Sequence, residues 1–114
     1  LTIDNNKELL DLSGLEGVES VGVDAYGKSI VISSNPAMKS LAGLSSVKGG
    51  LPGSLMIHNN TELLNLSGLE GVESVGVGAN GISIAITSNP AMKSLAGLSN
   101  VNGSLPGSLT ITNN

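Results

Sequence analysis

Residues 1–54 and 55–108 align without a gap and differ at 12 positions, leaving 42 of 54 identical, and residues 109–114 (LTITNN) open a third copy of LTIDNN. A regular period constrains the fold more than any local propensity. Each unit can bury its apolar face only against its neighbours, which is the condition that produces solenoids. The substitutions fall between the regularly spaced apolar residues, as at Thr2/Met56, Asp4/His58, Lys28/Ile82 and Ser33/Thr87. They read as outward positions varying around a constant core.

Each unit divides again. The pattern apolar-x-Ile-x-x-Asn, followed by apolar residues at every third position, begins at Leu1, Ile30, Leu55, Ile84 and Leu109, so the starts are 29, 25, 29 and 25 residues apart. Residues 1–54 are therefore one repeat of two coils, 55–108 a second, and 109–114 the start of a third, all in one continuous solenoid. Apolar residues at i and i+2, such as Leu1 and Ile3, put both side chains on one face of a short strand, with Thr2, Met56 and Thr110 on the other. Stacked coils would make these strands a parallel sheet. The Asn three residues after each Ile (Asn6, Asn35, Asn60, Asn89 and Asn114) falls where the chain leaves the strand. Its amide can satisfy backbone groups stranded by the turn, which predicts an asparagine ladder. Triplet spacing with interspersed glycines (Gly14, Gly17, Gly68, Gly71) fits a tight 3₁₀-like or extended path, with little regular helix. The fold class expected is a repeat solenoid, mainly β, with parallel stacked strands.

The segments SIVISSNPAMKSLAGLSSVKG (29–49) and SIAITSNPAMKSLAGLSNVNG (83–103) resemble leucine-rich repeats, in particular the irregular coils of the receptor L-domain family. In that pattern an Ile-bearing strand leads into Asn-Pro-x-apolar-x-x-Leu-x-x-Leu-x-x-Val-x-Gly. The resemblance implies architecture only, since such coils serve receptors, cell-wall proteins and microbial surface proteins alike.

Composition narrows the function. Nine acidic residues against five lysines and no arginine give a net charge of −4, and Tyr26 is the only aromatic residue. A nucleic-acid surface, which needs basic charge and stacking platforms, is excluded. The lack of cysteine removes disulfides and thiolate metal or redox sites. No apolar run reaches the roughly 20 residues of a membrane-spanning helix, so no membrane insertion is expected of this segment. A mean hydropathy of +0.26 with 12% charged residues is too apolar for disorder.

Residues capable of chemistry are sparse. His58, the only histidine, is expected to face outward without a partner, two strands from Asp4. Glu16, Glu19, Glu70 and Glu73 recur one repeat apart as a solvated edge, without the ligand spacing of a calcium loop. No catalytic residues, metal or cofactor are expected, and the chain is read as a non-enzyme. Three Asn-x-Ser/Thr sequons, at Asn59, Asn65 and Asn102, fall at expected turns or coil edges, where covalent glycans could be carried. The small hydroxyls Thr2, Ser33, Thr87, Thr110 and Thr112 suggest an ice-binding face, but Asp4, Val31, Met56, His58 and Ala85 interrupt their ranks. The leading expectation is a structural extracellular or cell-surface solenoid that extends into a fibre, sheath or appendage. It would do so by tandem repeats or head-to-tail docking, with copies of itself as partners. An adhesin or receptor-like module holding a protein or carbohydrate is the alternative. The opening Leu1 inside a strand reads as a cut from a longer array, and Leu41 and Leu95 are expected to be equivalent core positions.

Overall fold

The computed structural model describes residues 1–114 as a parallel β-solenoid. Its strands are β1 (Thr2–Asp4), β2 (Lys28–Ser33), β3 (Gly49–Leu51), β4 (Ser54–His58), β5 (Val72–Val75), β6 (Ile82–Thr87) and β7 (Ser108–Thr112). Five of them form one parallel sheet in the order β1-β2-β4-β6-β7, so each coil contributes one strand. The register is that of the repeat: Ile3, Ile32, Ile57, Ile86 and Ile111 form one inward row across the sheet. Leu109 and Ile111 do occupy a fifth strand in this register, paired with Ile84 and Ile86.

Behind the sheet the chain returns through consecutive tight turns, which explains the triplet spacing. The N–H of Met38 bonds to the Asn35 carbonyl, Leu44 to Leu41, and Val47 to Leu44, and the same bonds recur at Met92, Leu98 and Val101. Each turn advances three residues and brings the next apolar side chain inward. Only Ala42–Leu44 and Ala96–Leu98 are regular enough to be 3₁₀ helix, and no α-helix forms. A second, two-stranded parallel sheet, β3 with β5, joins the returning segments of the two middle coils. The sequence pattern does not reveal it.

The core lies between the sheet and the returning turns. Ile30, Ile32, Leu55, Ile57 and Ile86 come from the strands, and Met38, Leu41, Leu44, Leu63, Leu66 and Leu69 from the turns, all with essentially no exposure. One expectation is corrected here. Leu41 is fully buried, whereas Leu95, its counterpart one repeat later, is 37% exposed. The periodicity marks both as inward, but burial requires a following coil, and only residues 109–114 follow the coil that carries Leu95. Leu41→Ala should therefore cost about 2–5 kcal/mol through lost burial and a residual cavity. Leu95→Ala should cost clearly less, and His58→Ala, which removes a half-buried side chain from the outer face, within about 0.5 kcal/mol. Denaturant melts of the three variants check the order.

Candidate functional site

Two features combine polar groups in regular arrays: the asparagine row at the edge of the sheet, and the outer face of the sheet itself. The asparagines form an unbroken chain. The backbone N–H and the Nδ2 of Asn6 both donate to Asn35 Oδ1, at 3.0 Å each. Asn35 donates in the same way to Asn60, Asn60 to Asn89, and Asn89 to Asn114. The Nδ2 of Asn35, Asn60, Asn89 and Asn114 also reaches back to the inward-row isoleucine of the preceding coil, as Asn60 does to the Ile32 carbonyl at 3.0 Å, whereas Asn6 Nδ2 donates to the Asp4 carbonyl. Asn35, Asn60 and Asn89 are completely buried. The row thus closes polar groups that the turn would otherwise leave unpaired in the interior.

The sharp exit from each strand depends on the residue just before the ladder asparagine. Asn5, Ser34, Asn59, Ser88 and Asn113 all take left-handed backbone conformations, with φ between 55° and 60°. Asparagine adopts this region more readily than most residues. Serine at two of the five positions gave no such signal in the sequence.

On the outer face, the register lines up Asp4, Ser33, His58, Thr87 and Thr112 in one row and Thr2, Val31, Met56, Ala85 and Thr110 in the next. Ser33 Oγ donates to Asp4 Oδ1. His58 Nδ1 lies 3.4 Å from Asn59 Nδ2, and no hydrogen bond joins it to Ser33. The serine hydroxyl is thus held by the carboxylate of one neighbour in the row and makes no hydrogen bond to the imidazole of the other.

Four other carboxylates, Asp11, Glu16, Asp24 and Glu70, serve local turns. Glu16 and Glu70 each accept from the N–H of a glycine two residues earlier, Gly14 and Gly68, at 2.7 Å. No three metal-ligating side chains come together anywhere in the chain. The Ser13 hydroxyl and then the Ser13 N–H hold the Asp11 carboxyl below the usual carboxylate range. The Lys28 N–H does the same for Asp24, helped by the Tyr26 N–H. Depressed acid groups stabilise the fold above the unfolded aspartate pKa of about 3.9, and lose that contribution as pH falls through the lower folded value. A D11N/D24N variant should therefore be less stable than the parent at pH 7 and converge on it as pH falls below about 4, giving a flatter acid limb in melts across pH.

The three sequon asparagines lie outside the strands in different settings. Asn59 is exposed beside His58, Asn102 is exposed and donates to the Asn100 carbonyl, and Asn65 is half-buried with its Oδ1 accepting the Ser67 N–H.

The glycines carry a role that their spacing alone does not reveal. A Cβ on Gly68, Gly71 or Gly76 would run into the carbonyl oxygen of Leu41, Val47 or Pro52, respectively, on the preceding coil. These glycines let two backbones touch, and the β3–β5 pairing and the N–H bond from Gly76 to the Leu51 carbonyl form across the same contact. A Cβ on their counterparts in the first coil, Gly14, Gly17 and Gly22, would meet nothing within 4 Å.

No protein-family model matches the chain, and comparison with curated proteins and with solved structures finds no match.

Proposed function

We propose that this chain is a segment of an extracellular or cell-surface structural solenoid, of leucine-rich-repeat type akin to receptor L domains. It would lengthen into a fibre, sheath or appendage by stacking further coils, with glycans carried at its turns. The observation that carries the reading is that the close contacts of the junction between residues 30–54 and 55–83 are made largely of residues that both repeats share. Leu41, Val47, Pro52, Gly68, Gly71, Gly76 and the ladder asparagines all have identical counterparts 54 residues away. A joint built largely from constant residues can be repeated along a solenoid, while most of the variable residues are exposed or half-buried. The Asn-Pro-x-apolar turn and the asparagine ladder support the leucine-rich-repeat assignment.

Sedimentation velocity and negative-stain electron microscopy over a wide concentration range test it. Rods that lengthen with concentration are expected. Discrete monomers at the highest concentration would overturn the assembling form of the proposal.

A further inference from the structure

We propose that Met56 and His58 form a binding site for one soft monovalent metal ion, of the class of Cu(I) or Ag(I), on the outer face of β4. A thioether selects soft ions and an imidazole is a good copper ligand, so the two donors together fit Cu(I) rather than calcium or magnesium.

The strand brings the donors together. Met56 and His58 are two residues apart on β4, so both side chains rise from the same face, with Cα atoms about 6.6 Å apart at the usual rise of a parallel strand. Side chains on a strand lean along its direction, and methionine has three rotatable bonds, so Sδ and a ring nitrogen can converge on one ion. Both residues are half-buried. The register sets only short side chains beside them: Ser33 and Thr87 flank His58, and Val31 and Ala85 flank Met56. These leave room above β4 for an ion. β4 is also the middle strand of the five, hydrogen-bonded on both edges, which gives the ligands a rigid base.

The pairing occurs once. The equivalent strands carry Thr2 and Asp4 in β1, and Thr110 and Thr112 in β7. Both outward positions change together in β4, and each change introduces a soft-metal donor. Of the other two methionines, Met38 is fully buried and Met92 packs against the core. His58 is the only histidine.

The surroundings set the tautomer and the choice of ion. His58 Nδ1 lies 3.4 Å from the Asn59 amide. With its oxygen turned to the ring, that amide accepts the Nδ1–H and leaves the Nε2 lone pair free for a metal. Asp4, the carboxylate in the same row, is two strands away, about 10 Å, and holds the Ser33 hydroxyl, so a hard cation gains no oxygen ligand from it. Zinc, which takes three or four protein ligands, finds two.

Titration of the full chain with Cu(I) under anaerobic reducing conditions, in competition with a chromophoric chelator, tests the site, and NMR with Ag(I) locates it. One equivalent should bind, shifting the Met56 methyl and His58 ring resonances together and leaving Met38 and Met92 unmoved. Met56→Leu and His58→Ala should each weaken Cu(I) binding at least about tenfold while leaving the metal-free melt unchanged. Zn(II) should not compete. No uptake of Cu(I), uptake unaffected by either variant, loss on His58→Ala alone, or equal binding of Zn(II) would each overturn the site.

Discussion

Asn60→Ala should destabilise the fold by about 4–6 kcal/mol, the sum of two or three buried polar groups losing their partners at about 1–3 kcal/mol each. Asn60 Oδ1 accepts both the N–H and the Nδ2 of Asn35, and its Nδ2 supplies the Ile32 carbonyl, the His58 carbonyl and Asn89 Oδ1. The residue is wholly buried, so water cannot replace these bonds. Asn6→Ala offers the internal comparison. Asn6 is exposed and only donates along the ladder, so its loss should cost about 1 kcal/mol. Urea unfolding of both variants gives the difference directly. Near-equal losses would mean that the ladder is decorative and that packing alone holds the turn.

The ladder, the strands and their register were legible because each depends on spacing. Apolar residues at i and i+2 assign a face, and the recurrence of Asn after every strand marks the exit. Other features depend on what lies opposite a residue, which spacing does not carry. Val72-Glu-Ser-Val75 pairs with Gly49-Gly-Leu51, yet four residues give no readable alternation, and the pairing arises because the glycines bring the returning segments together. Ser34 and Ser88 sit in left-handed backbone because the ladder asparagine after them is fixed, and serine itself gives no such signal. Leu95 has the sequence environment of Leu41 and a different burial, since burial depends on the next coil. The Asp4–Ser33 contact joins residues 29 apart whose substitution between repeats marks them only as outward.

The glycines show this limit most sharply, because identical residues in identical local sequence should respond in opposite ways. Gly76 and Gly22 occupy the same repeat position, and neither has a positive φ, so alanine is conformationally permitted at both. A methyl at Gly76 would overlap the Pro52 carbonyl oxygen and crowd the Gly53 nitrogen, both backbone atoms that cannot rotate away. The two middle coils would have to separate there, breaking the bond from the Gly76 N–H to the Leu51 carbonyl, 2.8 Å long, and loosening the β3–β5 pairing. Gly76→Ala should therefore cost about 3 kcal/mol or more, the upper range for overpacking, because backbone must move. Gly22→Ala meets empty space and should be neutral or raise stability by about 0.4–1 kcal/mol, since alanine narrows the unfolded ensemble. Thermal and urea melts of the dilute monomer measure both. A destabilised Gly22→Ala would show that this glycine serves its own turn, and the close approach of coils would then not explain why glycine stands at this position in both repeats.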